Sequence, residues 1–138
     1  MPVQVRSGVP SMKIKIGKPK ENRKIKLEIH PYDLWSMDHT LSIIIAPMLV
    51  LLKENKAGSP YVEDDDVPEN IRTTSATPTK NEYDVDEFHH NRWDWVLDEM
   101  IWAFATIAED VGGLSKAEQM RLDNGLRLFG RYFQNLWD

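Results

Sequence analysis

Residues 86–111 constrain the fold of this chain most strongly, because their apolar side chains recur with the period of a helix. Eight of them form one continuous apolar stripe: Trp93, Val96, Leu97, Met100, Ile101, Phe104, Ile107 and Ala108. This spacing is typical of an amphipathic helix that buries one face. A second face carries Trp95, Glu99 and Trp102. We expect that face to meet another subunit, the long loop or a ligand.

A second helix is predicted over residues 34–56, ending at the turn residues 57–60. Its middle, LSIIIAPMLVLL (41–52), is apolar almost all round. This pattern predicts burial on more than one side and a central position in the fold, with an oligomer interface as the alternative. Pro47 lies inside the helix and cannot donate a backbone hydrogen bond, so a kink is expected there.

A third helix is predicted over residues 116–137. Ser115 and Glu118 have the spacing of a capping box at its start. Its apolar positions define a buried stripe: Leu122, Leu126, Phe129, Phe133 and Leu136. Gly125 and Gly130 are poor helix formers, so they predict a close approach to another helix.

The other segments complete a single-domain organisation. Residues 1–11 have no periodicity and predict a flexible leader, and residues 12–138 predict one helical domain. Charged and aliphatic residues alternate across 13–29, which indicates a β-hairpin. The polar link 57–84 is long enough to be either disordered or functional. The predicted fold class is mainly α: a three-helix bundle with an N-terminal β-hairpin and a long loop between helices 1 and 2.

Charge is distributed unevenly along the chain. Residues 1–26 carry eight Lys or Arg and one Glu, a balance of +7, so the net charge of −5 leaves −12 on residues 27–138. Nucleic-acid binding is not favoured, because no recognised motif or interleaved aromatic residue accompanies the lysines. The apolar run 43–52 falls short of the ~20 residues that span a bilayer, so no membrane partner is expected. The chain has no cysteine, which excludes disulfides and thiolate chemistry and fits a reducing compartment.

Catalysis and metal binding have weak signals. No serine lies in a glycine-flanked elbow and no phosphate-binding loop is present, so no catalytic residue, resident metal or cofactor is expected. The alternative is a metal-dependent site, with Asp38, His39 and Glu99 catalytic and His39, His90 (or His89) and Glu99 as ligands. The acidic run 63–66 lacks the spacing of a calcium loop, and a solvated loop is the favoured interpretation.

Arginines and aromatic residues suggest a ligand site. Arginine makes bidentate contacts to phosphate, and indole rings stack on bases. The candidate ligand-binding residues are Trp35, Arg92, Trp95, Trp102, Arg127, Arg131 and Tyr132. The competing interpretation is that the tryptophans are core or subunit contacts and that the arginines pair with Asp94, Asp98 or Asp123.

Four segments resemble a family of small proteins encoded by tailed bacteriophages. They are WSMDHT (35–40), SPYVEDDDVPE (59–69), NEYDVDEFHHNRWDWVLDEMIWAF (81–104) and NGLRLFGRYFQNLWD (124–138). The resemblance covers nearly all of residues 24–138. It implies a phage origin and action in the cytoplasm of the bacterial host, and it assigns no active site.

The function expected from these observations is that of a phage-encoded, non-enzymatic binding protein. It would counter host defence by sequestering a host signalling nucleotide or by blocking a host factor. A metal-dependent nucleotide hydrolase and a virion or assembly component are the alternatives. A homo-oligomer is expected, because the second face of the helix at 86–111 needs cover.

Overall fold

The structure, a computed structural model, describes residues 11–138 and folds them into three helices and a two-stranded sheet. Strands β1 and β2 span Lys13–Ile16 and Ile25–Glu28, and helices α1, α2 and α3 span Met37–Asn55, His89–Ala108 and Lys116–Arg131. Short 3-10 turns cover Pro31–Leu34, Asp64–Asp66, Glu69–Ile71, Thr73–Ser75 and Phe133–Asn135. The mainly α fold class with its hairpin and long loop is confirmed. The predicted leader lies outside the described residues, apart from Ser11.

Helices α1 and α2 begin later than the sequence predicted. Residues Pro31–Leu34 form a separate 3-10 turn, and Ser36 leaves the helical region with φ −136° and ψ 61° before α1 begins. Just before α2, the Asp86 carboxylate accepts a hydrogen bond from the Phe88 amide at 2.8 Å. This bond stabilises a turn that precedes the helix. Asp110 follows the end of α2 with φ 52°, a left-handed conformation that stops the helix.

Helix α2 is the centre of the bundle, with α1 packed on one side and α3 on the other. Its apolar stripe forms most of the core: Trp93, Val96, Leu97, Met100 and Phe104 are buried. The prediction that the first helix, which is largely apolar, would lie at the centre of the fold is wrong. Helix α1 buries only Ser42, Ala46 and Leu49, whereas many of its larger apolar side chains are exposed.

The close approach of α3 to α2 depends on Gly125. A Cβ atom at this position would lie 2.5 Å from the Ala103 Cβ and 2.8 Å from the Glu99 carbonyl oxygen. Only a residue without a side chain fits at this contact. The prediction is confirmed for Gly125 and wrong for Gly130, where an added Cβ would meet nothing within 4 Å.

Both ends of α3 have a defined structure. The capping box is confirmed, because the Glu118 amide donates to Ser115 Oγ at 3.1 Å and the Ser115 amide donates to Glu118 Oε1 at 3.0 Å. At the other end, Tyr132 adopts φ −103° and ψ 15°, and the chain tightens into the 3-10 turn Phe133–Asn135. The helix is therefore shorter than the predicted 116–137.

The long loop between α1 and α2 is folded onto the bundle. Val62 and Val67 are buried in the core, and three 3-10 turns lie between Asp64 and Ser75. The Glu63 amide donates to the Tyr132 hydroxyl at 3.1 Å, which ties the loop to the end of α3. Of the two alternatives for this segment, disorder is wrong for the part that carries these turns, and a functional role of the loop stays a prediction.

The hairpin pairs β1 with β2 in antiparallel register, with Ile14 opposite Leu27 and Ile16 opposite Ile25. The register places these four side chains on one face and Lys13, Lys15, Lys26 and Glu28 on the other. None of the strand residues is buried. Both faces of the hairpin are therefore open to solvent.

Candidate functional site

Three of the predicted ligand-binding residues converge on one carboxylate. Asp66 accepts hydrogen bonds from the Tyr132 hydroxyl at 2.5 Å and from Arg127 Nη2 at 2.8 Å, and it forms an ion pair with Arg131, whose Nε lies 2.8 Å from Oδ2. Asp66 is buried, whereas its two arginines are about half exposed. The interpretation of the acidic run 63–66 as a wholly solvated loop is therefore wrong. One of its carboxylates fastens the loop to α3.

The environment of Asp66 stabilises its charged form. Burial alone would raise the pKa of Asp66, but the hydrogen bonds from Tyr132 and Arg127 and the charges of Arg127 and Arg131 hold that pKa below its usual value. Burial and the bond to Asp66 raise the pKa of the Tyr132 phenol. The guanidinium groups of Arg127 and Arg131 are thus already committed to an internal carboxylate.

Arg92 is buried in a separate place, between the loop and the start of α2. It forms a bidentate ion pair with Asp86, with Nη1–Oδ1 at 3.0 Å and Nη2–Oδ2 at 2.7 Å, and it also donates to the Ile71 carbonyl at 3.0 Å. The hydrogen bonds from Arg92 lower the pKa of the Asp86 carboxyl. The competing interpretation named Asp94, Asp98 and Asp123 as arginine partners, and the structure gives Asp86 and Asp66 instead.

The second face of α2 is covered by α3. Glu99 forms an ion pair with Arg121, whose Nη2 lies 2.7 Å from Glu99 Oε2, and the same guanidinium lies 4.2 Å from the Trp102 ring centroid. Trp95 packs against the core and is partly buried. Helix α3 therefore supplies, at Glu99 and Trp102, cover that was expected from another subunit. The homo-oligomer itself stays a prediction. Trp35 lies apart from the others, before α1, and is 85% exposed.

The residues of the alternative metal site do not meet. The His39 Nε2 lies 2.9 Å from the Ala108 carbonyl oxygen, whereas His90 Nδ1 lies 2.8 Å from Ser59 Oγ. Ala108 and His90 are at opposite ends of α2, about 27 Å apart along its axis. Within residues 11–138, no group of three His, Asp or Glu side chains could hold a metal ion. Glu99 lies midway along α2 and is already paired with Arg121. The described residues therefore do not form the alternative metal site.

An apolar groove lies between α1 and the end of the chain. The seven residues of the described chain that line it are all apolar: Ile45, Met48, Leu49, Leu52, Phe129, Phe133 and Leu136. Its volume is about 460 Å³. Met48 is 63% exposed and Phe133 is 59% exposed, so both walls of this "α1–α3 groove" carry large side chains in water. Ligand sites are concave and predominantly apolar, and this groove has that character.

A polar cleft of about 400 Å³ lies at the other end of α1. Its lining includes Ser36, Asp38, His39, Thr106, Asp110 and Gln119. The cleft contains two of the three alternative catalytic residues, Asp38 and His39, but not Glu99, which belongs to the contact with α3. We regard the α1–α3 groove as the stronger candidate, because its exposed apolar surface has an unfavourable contact with water that a partner would remove.

The sequence contained a signal for this groove. Residues 40–52 include no charged side chain, so α1 is apolar on more sides than a single contact with α2 can bury. The residues predicted to bind a ligand were polar or aromatic side chains that can carry chemistry, and none of them lines the groove.

In the described part of the chain, no helix has the length and apolar character needed to cross a membrane. Comparison with models of protein families, with curated proteins and with solved structures finds no match.

Proposed function

We propose that this protein acts by binding a partner protein, and that the α1–α3 groove receives an apolar segment of that partner. The observation that carries the proposal is the exposure of Met48 and Phe133 on opposite walls of a groove lined by apolar residues. An exposed, contiguous apolar surface of this kind is typical of interaction sites.

The groove fits an amphipathic helix. Ile45, Met48 and Leu52 are spaced three and four residues apart along one wall, and Phe129 and Phe133 are spaced four apart along the other. Two facing rows of apolar side chains form the type of groove into which a partner helix inserts anchors at positions i, i+3 or i+4, and i+7. Aromatic and methionine side chains adapt well to such anchors.

The chemistry of the lining supports binding rather than catalysis. An acid, a base or a nucleophile must lie within hydrogen-bond reach of a reacting group, and an apolar wall offers none of these. A nucleotide is the less suitable ligand here, because the predicted Arg and Trp residues lie in separate places and Arg127 and Arg131 already hold Asp66. The groove supplies no donor for a phosphate.

The partner that we propose is a host protein in the bacterial cytoplasm, which this protein would block. This step depends on the resemblance to phage proteins. Burial of a large apolar side chain contributes about 1.5–3 kcal/mol, so completing the burial of Met48, Phe133 and their neighbours can support an interface with a few dominant residues.

The test is affinity capture of host proteins by matched variants. Met48→Lys places a charge in the groove, and Met120→Lys places the same charge on α3, at a methionine that is 64% exposed and lies outside the groove lining. We expect one host protein to be retained by the wild type and by Met120→Lys and to be lost with Met48→Lys, with helical content unchanged in all three.

A host protein retained equally by both variants would contradict the groove as its binding site. The protein's presence as a stoichiometric component of purified phage particles, measured by mass spectrometry, would favour the structural role instead. Heat released on titration with cyclic or ADP-ribose-type nucleotides would favour the nucleotide alternative.

A further inference from the structure

The hairpin presents an apolar face that nothing in residues 11–138 of its own copy covers. Ile14, Ile16, Ile25 and Leu27 lie on this face, and each is 43–60% exposed. Ile29, just after β2, continues the alternation and is also exposed. An antiparallel hairpin that alternates in this way normally packs its apolar face on a core. A two-stranded hairpin alone is marginally stable in water. This face therefore needs cover from outside the described residues of its own copy.

The link between the hairpin and α1 is short and internally bonded. The His30 amide donates to Asp33 Oδ2 at 2.8 Å, and the Asp33 amide donates back to the His30 carbonyl at 2.9 Å. The His30 and Tyr32 rings stack with centroids 5.5 Å apart, and Pro31 restricts the backbone between them. At the end of this link, no strand residue of the hairpin is buried against the helices of its own copy. Such links favour exchange of an element between two copies of a chain.

Helix α1 carries an uncharged stripe that is separate from both its α2 contact and the groove. Ile43, Pro47, Val50 and Leu51 all lie within about 100° around the helix, from the rotation of 100° per residue. All four are exposed. We call these residues the outer stripe. It has the spacing of a helix face that is buried by a partner.

Charge favours a second copy as the occupant. Residues 11–26 hold seven Lys or Arg and one Glu, whereas residues 27–138 carry −12. Beside the outer stripe, a shallow surface depression is lined by Val50, Lys53, Glu54, Asp98 and Ile101. Lys53 pairs with Asp98 at 2.6 Å, and Glu54 is exposed. The hairpin of one copy thus finds on the α1 side of another copy an apolar stripe and, beside it, the Glu54 carboxylate, which can attract the lysines of the turn between the strands, Lys18, Lys20 and Lys24. This complementarity favours encounter and fixes the register of the contact.

We propose that two copies of this chain form a dimer by exchanging hairpins. The apolar face of each hairpin packs on the outer stripe of the other copy's α1, around a two-fold axis. Every contact is made twice, as in any isologous interface. The groove is left free for the partner proposed above. The two proposals are independent, because they use different residues.

The test is the oligomeric state of the full chain, measured by sedimentation velocity over a range of concentrations. We expect a concentration-dependent dimer for the wild type. Leu27→Glu in the hairpin and Leu51→Lys in the outer stripe each raise the dimer Kd by about 100-fold or more, as expected of central interface residues. Circular dichroism checks that the helical body stays folded, since neither substitution enters the core.

Mixing the two variants separates hairpin exchange from other modes of pairing. A Leu27→Glu copy keeps an intact stripe and a Leu51→Lys copy keeps an intact hairpin, so a mixed dimer retains one complete contact. We expect a mixture to dimerise more tightly than either variant alone. Met48→Lys and Met120→Lys serve as controls and should dimerise like the wild type.

A wild-type chain that remains monomeric up to millimolar concentration would overturn the proposal. Dimers of unchanged affinity in Leu27→Glu would do so as well. Unchanged affinity in Leu51→Lys would replace exchange by hairpin-to-hairpin pairing, which does not use the outer stripe, and absence of rescue in the mixture would contradict exchange. Loss of host-protein capture with preserved dimerisation in Met48→Lys identifies a defect of the groove alone.

Discussion

Replacing Gly125 with alanine tests the packing of α3 on α2. The new Cβ would lie 2.5 Å from the Ala103 Cβ and 2.8 Å from the Glu99 carbonyl oxygen, whereas carbon atoms in contact lie about 3.5–4.0 Å apart. Helix α3 must therefore move away by about 1 Å. Because a backbone oxygen cannot rotate aside, we take the upper end of the overpacking cost, about 3 kcal/mol. Helix propensity offsets about 1 kcal/mol of this cost, which leaves a net loss of about 2 kcal/mol.

The matched control is Gly130→Ala in the same helix. An added Cβ meets nothing within 4 Å at Gly130, so only helix propensity acts and the free energy of unfolding should rise by up to about 1 kcal/mol. Urea denaturation at one fixed protein concentration measures both variants. A midpoint for Gly125→Ala equal to or above that of the wild type would refute the close contact between α2 and α3.

Three further predictions concern the polar contacts. Asp66→Asn should lower the free energy of unfolding at pH 7 by about 2–4 kcal/mol, measured in urea, because the charge-assisted hydrogen bond from Arg127 and the ion pair with Arg131 are lost. The pKa values of Asp66 and Asp86 are lowered in the folded state. The stability that these two carboxylates contribute is therefore complete above the unfolded pKa of about 3.9 and is lost as the pH falls through their lower, folded-state pKa values. A wild-type protein whose free energy of unfolding rises below pH 4 would contradict this pH dependence. Arg92→Ala should cost about 3–5 kcal/mol by leaving Asp86 unpaired, and a loss below 1 kcal/mol in the same urea titration would show that the pair is dispensable.

Local patterns were sufficient to predict the elements of the fold. The stripe from Trp93 to Phe104 repeats with the helical period, and the Ser115–Glu118 spacing satisfies the first amides of α3. These features depend on residues three or four positions apart, which the sequence displays directly. The alternation in 13–29 predicted the hairpin for the same reason. The ends of the helices were less predictable, because side chains such as Asp86 form bonds that compete with helix formation.

Long-range pairing could not be predicted in the same way. Asp66 is one of four consecutive acidic residues, and nothing local distinguishes it from Asp65, which is exposed. Its burial follows from contacts with Arg127, Arg131 and Tyr132, more than sixty positions away along the chain. For α1, composition established that the middle of the helix is apolar almost all round but not which of its sides α2 would cover. The groove and the outer stripe are the sides that remain.

The binding role of the α1–α3 groove is tested most directly by photo-crosslinking in infected host cells. A photoreactive phenylalanine analogue replaces Met48 in the groove or Met120 outside it. We predict a single crosslinked host protein from position 48 and none from position 120. Adducts from position 48 that contain only a second copy of this chain, or the same adducts from both positions, would contradict the proposed function.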